Sequence, residues 1–230
     1  MIYSVIDLET TGGEVYKDAI IEIGIVRLVG GQVDAEFVEL IRPRIPITPG
    51  AERTHGISNA EAMAQGGEAR DILERMMRFI GASTLVAHNG LRFDYPLLRT
   101  ELHRYALAVP PIKLLDTLPL ARKVLNTQRG EGKLSDLCRA HNISLVNAHR
   151  ALDDARATAA LFNIIASKEA DPATLWRHCG EVLWDSVGIS PDVFRVIEEA
   201  MASGLDLHVE YHGMNKPAST RWLRPVRFDP

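Results

Sequence analysis

Apolar residues fall in short runs through the first third of the chain and at helical spacing after it. Residues 2–6 (IYSVI) make a run of strand length. Residues 19–29 and 32–41 read as two more strands, joined at Gly30-Gly31, a dipeptide suited to the positive φ angles of a hairpin turn. Strands in this order pair antiparallel. Pro43, Pro46 and Pro49 mark a loop. Ser58 with Glu61 fits a capping box, opening a helix that runs to about Ile80 with Ile72, Leu73, Met76, Met77 and Ile80 on one face. Residues 83–88 then read as a strand and 95–106 as a helix with Leu97, Leu98, Leu102 and Tyr105 inward. Residues 112–115 are a short strand, 117–125 a helix, 126–133 a polar loop and 134–141 a short helix. Residues 150–167 form an amphipathic helix with Leu152, Ala155, Ala159, Phe162 and Ile165 on its core stripe.

Strands first, then strands alternating with helices, predict an α/β fold with a mixed sheet covered on both faces. The pattern weakens after Lys168, so residues 1–168 are expected to form one domain and 169–230 an extension. In the extension, 172–185 and 191–202 read as helices broken by Gly188, and 205–211 and 220–228 as strands around a turn at Gly213–Pro217. No internal repeat or low-complexity segment is visible.

Composition narrows the picture without identifying it. Apolar residues at 46% and charged residues at 24% are those of a folded, soluble chain. The net charge of −4 argues against a protein that coats long duplex DNA, but it is compatible with one that grips only a strand end. Cys138 and Cys179 stand far apart without zinc spacing and read as reduced thiols of a cytoplasmic protein. The start, MIYSVIDLE, lacks a signal peptide's basic region, and no apolar run reaches membrane-spanning length, so no membrane partner is expected.

The chemistry sits in carboxylates. Asp7 ends an apolar strand and Glu9 follows two residues on, a spacing that puts both on one face of an extended chain. Two such acids beside a core repel each other and lose hydration, and no Lys or Arg lies between Tyr3 and Val15 to offset them. A divalent cation with oxygen ligands fits this place; a hydrated strand end is the plain alternative. Asp94 sits where a helix begins and, taken alone, is an N-cap or dipole partner. His149 precedes a helix that Asp153 and Asp154 open, where surface acids and histidines are common.

Taken together, the order DLETTG (7–12), HNGLRFD (88–94) and HRALDD (149–154) resembles the DEDDh, or DnaQ-like, exonucleases. The segments TPGAERTHGIS (48–58), LDTLPLAR (115–122) and KLSDLCRAHNI (133–143) are similar to that family too, so the resemblance covers roughly residues 1–168.

The resemblance implies a ribonuclease H-like fold: a mixed five-stranded sheet with helices on both faces, here followed by a small α+β extension. It implies two divalent cations, Mg²⁺ or Mn²⁺, held by Asp7, Glu9, Asp94 and Asp154. Asp7 would reach both, and the HxxxxD spacing selects Asp154 over Asp153. His149 would be the general base, a role suited to imidazole near neutral pH. Thr10, Thr11 and Gly12 would meet the terminal nucleotide, partly through backbone N–H groups, and His55 and Ile57, around Gly56, would line its base pocket. Asn89 and Phe93 would flank the next nucleotide, Phe93 by stacking unless it belongs to the core. Asp116 reads as an N-cap rather than a ligand.

The implied activity is 3′→5′ exonucleolytic removal of nucleotides, with single-stranded DNA 3′ ends in repair or proofreading favoured and RNA 3′ ends the alternative. A binding module or polymerase-associated subunit is a third reading, for which no clamp-binding or polymerase-binding motif is visible. Residues 205–230 resemble the opening hairpin of a WYL-type domain, and their surplus of Lys216, Arg221, Arg224 and Arg227 over Glu210 and Asp229 offers a contact for nucleic acid or simply a solvated edge.

Overall fold

β1 (Ile2–Thr10) runs well past the predicted Ile6, because DLET continues the ladder with β2 (Ile20–Val29) as far as Thr10↔Ile20. Asp7 and Glu9 are therefore strand residues, opposite Gly24 and Glu22. The computed structural model describes residues 1–108, 113–128, 130–179, 196, 199–200, 202–211 and 219–224. β2 turns at Gly30 and Gly31, both at positive φ, into β3 (Gln32–Leu40), as the hairpin signal predicts. β4 (Thr84–Ala87) and β5 (Leu114–Asp116) join in parallel, so the mixed sheet has five strands in the order β3-β2-β1-β4-β5.

Helices cover both faces. On one, α3 (Ala69–Ile80) and α4 (Asp94–Arg104) bury Leu73, Met76, Leu97 and Leu98 against Ile6, Leu8, Ile23 and Ile25. On the other, α5 (Thr117–Val124), α6 (Leu134–Ala140) and α7 (Ala151–Lys168) bury Leu120, Leu137, Ala155, Phe162 and Ile165 against Val5, Val26 and Leu28. The predicted α7 stripe is the packed face, with Leu152 at its partly buried margin.

Two helical predictions need correction. The segment from Ser58 to Ile80 is two helices, α2 (Asn59–Gln65) and α3, parted where the backbone turns extended at Gly66, a position where a Cβ would lie 2.4 Å from both Ala62 O and Arg42 N. Ser58 does cap α2, accepting from the Glu61 N–H at 3.1 Å. The proline-marked loop contains α1 (Pro49–His55), with Thr48 as its N-cap. Pro49 stands in the first turn, where its missing N–H costs no intrahelical bond.

The chain divides into two compact units, Met1–Ser186 and Val187–Pro230. α8 (Pro172–Cys179), beyond the predicted domain end at residue 168, packs within the first unit, with Leu175 and Trp176 against the α5/α7 core. In the second, β6 (Leu207–Tyr211) and β7 (Ser219–Leu223) form an antiparallel hairpin. The predicted turn at 213–217, the end of the last strand and most of the 180–202 segment lie outside the described residues. No described helix is long and apolar enough to cross a membrane.

Candidate active site

Strand parity builds the site. Val5 faces the α5–α7 layer, so Asp7 and Glu9, two and four residues on, face it too. Their partners across the ladder, Gly24 and Glu22, share that face. The N-terminus of α7 lies directly on β2 here: a Cβ on Gly24 would stand 2.2–2.3 Å from the backbone of Ala151 and Leu152. Only glycine admits that approach, which carries Asp154 and His149 to the acids of β1. Asp94, the first residue of α4, arrives after β4, which runs parallel to β1, so the acids gather at the carboxyl ends of neighbouring parallel strands. Such ends are common places for sites in α/β sheets.

The electrostatics are those of a site awaiting positive charge. Burial, then Asp94, Glu9, Asp154 and Glu22, hold the Asp7 carboxyl well above the usual range. Burial, with Asp154, Glu22 and Asp94, pushes Glu9 up to about 8, with Arg150 opposing. Asp94 is pushed up to about 7, chiefly by burial and also by Asp116, against backbone N–H groups of Asp94 itself and Leu8. Asp154 is raised by burial despite the His149 N–H bonded to it. Its Oδ1 is buried without a hydrogen-bond partner, while Oδ2 accepts from the His149 N–H at 3.1 Å. Carboxylate, carboxylate and imidazole atoms of Glu9, Asp154 and His149 lie within 4.8 Å of one another. A buried orphan carboxylate oxygen beside mutually repelling acids is the donor set a hard divalent cation takes.

His149 is exposed and holds φ 66°, a left-handed conformation that few non-glycine residues adopt. Asp153, the rival for the last acid, instead accepts from Asn147 Nδ2 at 2.8 Å and pairs with Arg156 at 3.1 Å.

The predicted substrate residues differ in what they leave free. Thr11 is fully buried and built into its turn: its hydroxyl donates to Asp18 and accepts from the Ala19 N–H, its N–H donates to Ala19 O and its carbonyl accepts from Thr48. It can therefore shape a binding surface but has no unused polar group to offer. A side chain on Gly12 would meet the Asp18 carboxylate at 2.6 Å. Thr10 donates its hydroxyl to Gly12 O, and its carbonyl lies 3.2 Å from His55 Nε2. His55 Nδ1 accepts from the Ile57 N–H, which assigns the Nε2 proton to the Thr10 contact. Ile57, only 1% exposed, sits in a small core cluster with Ile21, Ile47 and Ala62. Phe93 packs on the first core and stays partly exposed. Asn89 is partly exposed at φ 59°. Asp116 is the N-cap of α5, as expected, and its carboxylate also accepts from the N–H groups of Asn89 and Leu91, fixing the loop that carries Asn89 and Phe93.

Sequence reasoning missed Glu22, Gly24 and Arg150. The one available signal was an acid and a glycine inside the apolar run IIEIGIV.

A model of the exonuclease family RNase_T matches residues 4–162. A Mycobacterium tuberculosis protein named for paired exonuclease and endonuclease functions is 40% identical over 164 residues, 68% of this chain and 25% of that protein. The 3′-5′ exonuclease DinG of Staphylococcus haemolyticus is 33% identical over 159 residues, 69% of this chain and 17% of its own. The chain thus spans a quarter or less of the length of these relatives. Among solved structures, Escherichia coli exonuclease I in complex with a dT13 oligonucleotide superposes with a TM-score of 0.66 at 22% identity, over 74% of this chain and 42% of the other. That likeness establishes the ribonuclease H-like fold.

Proposed function

Because this chain belongs to the RNase_T (DnaQ-like) exonuclease family, we propose that it is a divalent-metal-dependent 3′→5′ exonuclease acting on single-stranded DNA ends. The observation that carries the reading is the gathering of Asp7, Glu9, Asp94 and Asp154 beside His149, with one buried carboxylate oxygen unbonded. Those four acids would hold Mg²⁺ or Mn²⁺, which supplies charge neutralisation at the scissile phosphate and makes a bound water more acidic. His149 would accept a proton from the attacking water on a ring nitrogen. Its backbone N–H bond to Asp154 holds the residue beside the acids, and its exposure leaves room for water and a strand end. The turn from Thr10 to Asp18, braced by His55, forms the wall against the terminal nucleotide, and Asn89 and Phe93 flank the next one. The relative DinG, a 3′-5′ exonuclease, supports the direction, and the oligonucleotide bound to exonuclease I supports DNA.

The test uses single-stranded DNA, duplex DNA and RNA of equal length, each labelled at its 5′ end, with Mg²⁺, Mn²⁺ or EDTA. The expected result is a ladder shortening by single nucleotides from single-stranded DNA, slowed by a 3′ phosphate and absent in EDTA. Internal fragments at first sampling, or full activity in EDTA, would refute the reading. Preference for the RNA would retain the chemistry and reassign the substrate.

A further inference from the structure

Glu22 and Arg150 stand beside the acids, yet neither is needed as a metal ligand or as the proton acceptor. Glu22 is 2% exposed, and a buried carboxylate is costly unless it is well partnered. Both of its oxygens lie 3.2 Å from Arg150 Nε, one also accepts from Arg150 Nη2, and the other accepts from the Ala151 N–H at 2.9 Å. Arg150 is the residue before α7 and gives the helix no side-chain cap of its own. A carboxylate from β2, 128 residues away, therefore caps α7 from outside and grips the capping residue's side chain as well.

This grip closes on the segment that carries His149. On one side, the His149 N–H is fixed to Asp154 Oδ2; on the other, the Ala151 N–H is fixed to Glu22 Oε2. Between them, His149 keeps its left-handed φ, a conformation that persists only where its surroundings enforce it. α7 does not need the pair in order to dock, because Ala155, Ala159, Phe162 and Ile165 seat the helix by themselves. Losing the pair should loosen the start of α7 while its body stays packed.

We propose that Glu22 and Arg150 form a positioning clamp that holds His149 in register with Glu9 and Asp154. The inference rests on the reading of His149 as the proton acceptor. A displacement of about 1 Å in a reacting group can cost on the order of 10²-fold in rate.

The experiment compares the full chain with Arg150→Ala, Arg150→Lys and Glu22→Gln, each alone and with His149→Ala. Turnover of a 5′-labelled oligo-dT in saturating Mn²⁺ is measured beside backbone ¹⁵N relaxation at residue 149 in the metal-free protein. Arg150→Ala is expected to lower kcat by roughly 10- to 100-fold, with KM changed less than about 3-fold. Arg150→Lys should recover part of that loss, and Arg150→Ala should cost almost nothing further once His149 is alanine, the non-additivity of residues acting through one another. The order parameter at residue 149 should fall from about 0.85 towards 0.6 or below. Losses that multiply with His149→Ala, a rise confined to KM, or an unchanged order parameter would overturn the clamp. A wild type without metal-dependent nuclease activity would defeat the functional reading instead, and the relaxation measurement would still decide whether the pair fixes residue 149.

Discussion

Replacing Glu9 with glutamine should stabilise the metal-free protein at alkaline pH while abolishing its use of metal. Buried among Asp154, Glu22 and Asp94, Glu9 is held at about 8 rather than its ordinary 4.5. Below that ordinary value, it is protonated in both folded and unfolded chains and has no effect on stability. Between the two values, the unfolded chain releases the proton and the folded one keeps it, so stability falls as pH rises and levels off above about 8. At about 1.4 kcal/mol per pH unit, the limit for this one group is on the order of 5 kcal/mol, and relaxation and water entry reduce it. A loss of at least about 2 kcal/mol between pH 5 and pH 8.5 is expected in EDTA, roughly 4–8 °C in Tm for a chain of this size. Glu9→Gln removes the ionising group and its repulsion of Asp7, so its loss over the same range should be clearly smaller. Mn²⁺ should reverse the order, raising the wild-type Tm at pH 8.5 by mass action and leaving the variant nearly unmoved. Thermal melts of both proteins at the two pH values, in EDTA and in Mn²⁺, make the comparison. A wild type equally stable in EDTA at both, or a variant no more stable than wild type at pH 8.5, would refute the argument.

Asp154→Asn should weaken Mn²⁺ binding in calorimetry and cut turnover by at least ~10³-fold, about 4 kcal/mol of barrier. Asp153→Asn loses only surface bonds to Asn147 and Arg156 and should stay within a few-fold of wild type; the reverse pattern would mean that the last acid is misassigned. His149→Ala should keep Mn²⁺ and oligonucleotide affinity while lowering kcat by about 10²–10⁴-fold, and a near-normal kcat would remove it from the proton transfer. Gly24→Ala places a Cβ against backbone that cannot turn aside, so α7 must lift from β2; a loss of about 1–3 kcal/mol in urea unfolding is expected together with near-complete loss of activity. An active, fully stable Gly24→Ala protein would show that α7 need not lie so close.

The sequence by itself determined what depends on near neighbours. The alternation along β1 put Asp7 and Glu9 on one face, the 3.6-residue stripe set the core side of α7, and the motif spacing from His149 to Asp154 singled out Asp154 by resemblance. The same local reading missed α1, because a proline opening a helix looks like one interrupting a loop, and it ran α2 into α3, because the crowding that Gly66 relieves comes partly from Arg42 on a distant segment. It did not show that Ile57 packs with Ile21 and Ile47, residues of other segments. Tertiary structure alone decided how the start of α7 meets the sheet. Glu22 and Arg150 are unremarkable charges within their own segments, and Gly24 is one small residue in a strand. Their meaning arises where α7 crosses β2: backbone contact demands the missing Cβ, and a buried acid finds its partners 128 and 129 residues along the chain. No window on the sequence spans that distance, and contacts between separate elements, rather than propensities within them, hold the four acids and the histidine together.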